Sequence, residues 1–128
     1  MEDFALDELT RLGFNSSDSP CYLQAFDMKS LEYVKTKTDL RLVFLIWNRN
    51  ITEETWARLD KIGLAGVGVD KSLVTPGHED DQRRGRVKWG QPTDFLSVVH
   101  KHGLQSHCYT FRNEWMNLYW DYGQDPYR

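Results

Sequence analysis

Four short apolar runs in the chain each end in residues able to touch a ligand. CYLQAF (21–26) ends in Gln24 and Phe26 and is followed by Asp27; RLVFLIW (41–47) leads to Trp47 and Asn48. LAGVGVD (64–70) leads to Asp70 and Lys71, and LQSHCYT (104–110) to Tyr109, Thr110 and, two residues on, Arg112. Arg112 is the anion candidate, because a guanidinium can grip a phosphate through two parallel hydrogen bonds, although a surface salt bridge would use the same group. The Gln24 amide can hold a ligand hydroxyl or satisfy buried backbone. Asp27 reads as the N-cap of the helix that follows rather than as a catalytic carboxylate. Asp70 and Lys71 are adjacent, so their side chains diverge on an extended segment, and a surface role competes evenly with a site role.

Other chemistry is poorly represented. His100 and His102 are two residues apart on a helical pattern and point in different directions, whereas chelation from a helix wants i, i+4. No GxSxG, CxxC or GxxxxGK[ST] occurs, and GVGVDK has a glycine pair without the third glycine of a dinucleotide fingerprint. Cys21 and Cys108 read as two buried small hydrophobes in strands rather than as a redox pair. The tail from Phe111 onward carries Trp115, Tyr119, Trp120, Tyr122 and Tyr127. Trp115, Leu118 and Tyr122 share one face at helical spacing, which favours packing over a stacking platform for a sugar.

The runs that position these residues alternate with helical patterns. Phe4, Leu6, Leu9 and Leu12 predict a first helix that Gly13 stops. Asp27 caps a helix over MKSLEYVKTK with Met28, Leu31 and Val34 on one face. RLVFLIW is apolar throughout, as in a strand covered on both sides. Asn50 and Glu53 suggest a capping box for a helix with Trp56, Leu59 and Ile62 aligned, ended by Gly63. A long polar stretch follows LAGVGVD, and then Thr93 caps and Gly103 ends the helix DFLSVVHKH. Strands alternating with helices of about ten residues imply parallel βαβ units, where ligands gather at the carboxyl ends of the strands. Periodicity alone leaves two sheets open, half of a barrel or a small doubly wound sheet.

Size and charge set the outer limits. With 128 residues the chain makes one domain, 1–128, too short for a complete (β/α)8 barrel of about 250 residues. Sixteen Lys and Arg against nineteen Asp and Glu give a net charge of −3, without the basic excess of a nucleic-acid binder. No run approaches the ~18 apolar residues of a membrane span, and the acidic start MEDFALDELT is unlike a signal peptide, so a soluble, unexported chain is expected.

Taken together, the strand ends resemble one family. CYLQAFDMKSLEYVKTKTDLRLVFLI is similar to a segment of glycerophosphodiester phosphodiesterases in which a strand ending Gln-Ser-Phe-Asp leads through a helix to a second apolar strand. GVGVDKSLV resembles their Gly-Ile-Gly-Pro-Asp-Lys strand end, GLQSHCYTFRNE their Gly-Leu-x-x-His-Pro-Tyr-Thr-Phe-Arg segment, and WDYGQDPY a further match. Ala25, Ala65, Val69 and Cys108 depart from the family's Ser, Asp, Pro and Pro. The resemblance implies an α/β fold, a partial TIM barrel of about four parallel strands alternating with helices, the fourth to seventh of the eight. It also implies a parent activity: hydrolysis of a glycerophosphodiester to glycerol 3-phosphate and an alcohol, with a divalent metal, Ca or Mg.

Gln24, Phe26, Tyr109 and Arg112 would then line the substrate pocket. The family's catalytic histidines, in and after a His-Arg-Gly strand, and its Glu-x-Asp and Glu metal ligands precede the matched segments, and an Asp-Gly-x-x-Thr-Asp-Phe-Pro strand follows them. None of these occurs here. The expectation is a fragment that is inactive alone and prone to self-association through open sheet edges. The alternative is a non-catalytic pairing module derived from the barrel.

Overall fold

Asp27, Gly63 and Gly103 punctuate the chain where three helices begin or end. The computed structural model describes residues 1–48, 50–76 and 90–112. Within them the order is α1 (Glu2–Arg11), β1 (Tyr22–Ala25), α2 (Met28–Lys35), β2 (Arg41–Ile46), α3 (Glu53–Ile62), β3 (Gly66–Asp70), α4 (Lys71–Val74), α5 (Phe95–Lys101) and β4 (Gln105–Tyr109). The four strands form one sheet in the order β1-β2-β3-β4, every pair parallel. Sequential parallel neighbours with intervening helices are the arrangement of consecutive strands in a (β/α) barrel, and this is an α/β partial barrel.

Capping follows local chemistry. The Asp27 carboxylate accepts from the Lys29 amide at 3.0 Å, as expected of an N-cap. Gly63 and Gly103 take positive φ of 70° and 68°, the left-handed turn that ends a helix without a Cβ clash. Helix α3 corrects one expectation. Its cap is Thr52, not Asn50: Thr52 is extended and its Oγ1 accepts from the Thr55 amide at 3.2 Å, whereas the Asn50 amide donates to the Asn48 side chain at 2.6 Å. A second difference is α4, a single turn inside the predicted polar stretch. Asp70 starts it by accepting from the Ser72 amide at 2.8 Å. The flanks of that stretch are clipped together, since the Gly90 amide reaches the Pro76 carbonyl and the Thr93 amide the Val74 carbonyl. A third difference is the start of α5: its N-cap is Asp94, whose side chain makes no cap bond, and the expected Thr93 stands one residue earlier, its Oγ1 accepting from the Phe95 amide at 3.3 Å.

Period-two alternation divides the sheet into two faces. Leu23 and Ala25, Leu42, Phe44 and Ile46, and Val67 and Val69 pack with Met28, Leu31, Val34, Trp56, Leu59, Leu73 and Val99 from the helices in one core cluster. Fully burying each such Leu or Val contributes about 1.5–3 kcal/mol, so this layer between sheet and helices holds the fold together. The opposite, inner face carries Tyr22 and Gln24, Arg41, Val43 and Leu45, Gly66 and Gly68, and Gln105, His107 and Tyr109. Cover of β2 is therefore unequal: Leu42, Val43 and Ile46 are buried, Phe44 and Leu45 only half so.

Two further expectations are corrected. Cys108 is exposed rather than buried, and Cys21 is half-buried against the core cluster; β4 lies at the edge of the described sheet, with a neighbour on one side only. In α1 only Leu6 is buried, while Phe4 and Leu12 are exposed. This helix is tied to α2 by polar contacts, Ser30 donating to Glu2 at 2.9 Å and Tyr33 to Asp3 at 2.7 Å. The aromatic tail residues Trp115, Tyr119, Trp120, Tyr122 and Tyr127 lie outside the described residues.

Candidate functional site

Parallel pairing brings the carboxyl ends of all four strands to one rim. Asp70 and Tyr109 are paired directly across β3 and β4, and Ile46 and Val69 across β2 and β3. Tyr109 organises this rim. From β4 its side chain reaches across β3, and its hydroxyl donates to the Ile46 carbonyl on β2 at 2.9 Å. The crossing passes Gly68, where an added Cβ would lie 2.4 Å from Leu45 Cδ2, so that Leu45 would have to give, and at an ordinary contact distance of 3.7 Å from Tyr109 Cδ1. The glycine pair of GVGVD thus clears the inner face, which is a different use from cradling a phosphate. At Gly66 a Cβ would come within 2.6 Å of the Gln105 carbonyl oxygen, so that glycine serves the close approach of β4.

Phe26, just past β1, meets the Tyr109 ring edge-on, with centroids 6.2 Å apart and planes at 89°. The structure therefore brings Phe26 and Tyr109 together, although they are separated by most of the chain. Gln24 is exposed on the inner face of β1, and Arg112 is exposed beyond β4. Burial first and the Asp70 charge second push the Tyr109 phenol above its ordinary pKa. It stays protonated across the neutral range, and its proton is already engaged by Ile46. The ring is the part of Tyr109 left to face a ligand.

Around this centre the rim is aromatic and open. Phe26 is 57% exposed, Trp47 73% and Phe111 68%. A cleft of 170 Å³ opens beside Phe26 and Trp47, floored by Phe44 and Ile51 and edged by Asn48 and Thr55. Lys71 stands 6.0 Å from the centroid of the Phe111 ring, a cation placed over an aromatic face. These surfaces can stack against a flat or alkyl group and hydrogen-bond hydroxyls at the edge.

A larger cleft of 370 Å³ lies at the opposite end of the strands, between the ends of α3 and α5. Its His102 stacks on Trp56 with centroids 4.8 Å apart and meets both Asp60 carboxylate oxygens at 2.9 and 3.0 Å. These contacts clamp two helices at the end of the sheet where parallel α/β folds do not place ligands, so this cleft is structural. Among the described residues no group of three or more His, Cys, Asp and Glu could hold a metal ion. Asp27 and Asp70, the carboxylates nearest the rim, are engaged as helix caps. The described residues do not fit a divalent-metal centre by themselves.

Sequence reasoning missed the Ile46 carbonyl and the role of Gly68. Both follow from register, which no local pattern displays; the signal present was a pair of glycines inside an otherwise apolar strand, which marks close approach.

The family profile described as "Glycerophosphoryl diester phosphodiesterase family" matches residues 3–126. "Glycerophosphodiester phosphodiesterase GDPD6" of Arabidopsis thaliana is 29% identical over 145 aligned residues, covering 98% of this chain and 37% of the relative. The chain thus spans little more than a third of that relative's length. No solved structure matches the chain.

Proposed function

The chain belongs to the glycerophosphoryl diester phosphodiesterase family, and from that premise we propose that it supplies four strands of a barrel that hydrolyses glycerophosphodiesters to glycerol 3-phosphate and an alcohol. The observation that carries this reading is the rim, where Phe26 and Tyr109 from the two outer strands meet over a glycine-cleared β3. These four strands form the substrate-side wall. The Phe26 and Tyr109 rings shape it, the Gln24 amide meets a hydroxyl, and Arg112, exposed at the end of β4, meets phosphate oxygens.

Bond cleavage needs more than this wall. Phosphodiester hydrolysis calls for charge neutralisation at the phosphate oxygens and a proton donor for the leaving alkoxide, and each is worth powers of ten in rate. In the family reading a divalent cation, Ca²⁺ or Mg²⁺, supplies the first, held by residues outside this chain. The chain by itself is accordingly inactive. The test is glycerol 3-phosphate release from glycerophosphocholine with Ca²⁺ or Mg²⁺: no turnover is expected from the purified chain, and clear turnover by it would overturn this division of labour. In a barrel completed by the other strands, Tyr109→Ala and Arg112→Ala should lower kcat/KM while Cys108→Ser leaves it nearly unchanged. The reverse order would place the wall on the wrong face.

A further inference from the structure

The cleft beside Phe26 and Trp47 has a composition that phosphate chemistry at the rim does not explain. None of its described lining residues is charged. Phe44 and Ile51 make an apolar floor, and the Trp47 and Phe26 rings are each more than half exposed. The strand end that carries Trp47 is anchored, because the preceding carbonyl, that of Ile46, accepts from the Tyr109 hydroxyl at 2.9 Å. Flat, uncharged surfaces of this kind stack on the face of a ring, and the polar groups at the edge then decide which ring.

That edge has fixed directions. Asn48 Oδ1 accepts from the Asn50 amide at 2.6 Å, so what Asn48 has left for a ligand is the Nδ2 donor. Thr55, in the first turn of α3, shares a hydrogen bond of 3.0 Å with Thr52 Oγ1, which also accepts from the Thr55 amide at 3.2 Å. One such bond leaves the Thr55 hydroxyl a lone pair to offer. A donor and an acceptor on one edge suit hydroxyl groups, which both give and take hydrogen bonds. The same edge is a poor host for a quaternary ammonium. Aromatic faces attract such a cation, yet it would meet the positive end of the Asn48 amide, and no carboxylate among the described residues lines the cleft to hold it. Asp27, next to Phe26, is spent on the Lys29 amide.

We propose that this cleft is the subsite for the alcohol half of the substrate and that it selects a cyclic polyol, a cyclitol or sugar ring, over choline. The inference rests on the reading above that the rim holds a glycerophosphodiester. One CH face of the ring stacks on Trp47 with Phe26 beside it, and two hydroxyls meet Asn48 Nδ2 and Thr55 Oγ1. Choline in the same place leaves that donor and acceptor without partners, which is how a site built for hydroxyls rejects a ligand that lacks them. The glycerol half is an open three-carbon chain with no ring face to stack, and it is common to every substrate of the class.

The experiment titrates the purified chain with glycerophosphoinositol and with glycerophosphocholine, separately and in competition, by saturation-transfer NMR. The inositol ring protons should take up saturation, and glycerophosphoinositol should bind about tenfold more tightly. Trp47→Ala should remove about tenfold of its affinity, and Trp47→Phe should keep most of it. Asn48→Asp keeps an acceptor for the Asn50 amide but exchanges the donor for a carboxylate oxygen, and it should shift the preference toward glycerophosphocholine. Arg58→Met, on the outer helix layer, should change neither ligand. Circular dichroism of each variant separates lost binding from lost folding, and the comparison of the two ligands on the parent chain needs no variant. Equal or tighter binding of glycerophosphocholine, an unchanged preference in Asn48→Asp, full affinity in Trp47→Ala, or no binding of either ligand would each overturn the proposal. Glycerol 3-phosphate release by a completed barrel is scored separately. Ring-selective binding without release from either ligand would sink the enzymatic reading and leave the subsite, whereas release from both at equal kcat/KM would sink the subsite alone.

Discussion

On the helix side of the sheet Val67 and Val69 are fully buried, whereas one residue along on the facing strand Gln105 and His107 stand exposed. The contrast repeats on β1, where Leu23 and Ala25 join the core cluster and Gln24 between them does not. One face is closed by local means: each helix packs against the strands that flank it in sequence. The other carries the aromatic rim and has nothing from the described helices over it. Stability and function are separated by a single step of the strand alternation, so the two can be perturbed almost independently.

The largest effect should come from hollowing the finished side. Leu59→Ala removes a side chain with no exposed surface, and a loss of about 2–5 kcal/mol is expected in urea denaturation. A loss below about 1 kcal/mol would mean that the helix layer is looser than its burial implies. Gly68→Val tests the inner side at its most crowded point. The added groups collide with Leu45, and a cost of about 1–3 kcal/mol should accompany displacement of Tyr109 from Ile46. Loss of the Asp27 cap by Asp27→Ala should cost about 1 kcal/mol, visible as reduced helix content and a lower midpoint.

Tyr109→Phe sharpens the comparison through pH. The folded phenol ionises above the unfolded one because burial and Asp70 oppose its anion. Stability is then unaffected below the unfolded value of about 10 and falls as pH rises from there through the folded value. Tyr109→Phe should flatten part of that decline, at a cost of about 0.5–1.5 kcal/mol at neutral pH for the missing bond to Ile46. An unchanged slope would show that the hydroxyl is solvated. Smallest of all, Gln24→Ala on the open inner face should stay within about 0.5 kcal/mol of the parent chain. A larger loss would mean that this face is not open.

How far the sequence disclosed this follows from the range of each interaction. The Asp27 cap, the Gly63 and Gly103 stops and the Met28, Leu31, Val34 face depend on neighbours within a turn or two, and all were readable. Asn50 stands in for Thr52 as the expected cap because two capping residues lie two positions apart, and only the backbone decides where the first turn closes. The turn of α4 was hidden because four residues are too few to show a period. The α/β class could be read from alternation, while the barrel rather than an open doubly wound sheet came only from the family resemblance. In the site, residue types and their common rim were legible from the strand-end rule. The meeting of Phe26 with Tyr109, and the reach of Tyr109 over Gly68, required the register of four strands. Cys108 looked internal from its apolar surroundings, yet position at the sheet edge outweighed composition.

The strands pair in the order in which they are made. Each new β-α unit finds its partner already present in the preceding strand, and no strand has to be held open for one synthesised much later. The entropic cost of closing each connection stays small, and each new strand needs only the edge of the strand made just before it. A chain built this way can acquire structure while it leaves the ribosome, one unit at a time.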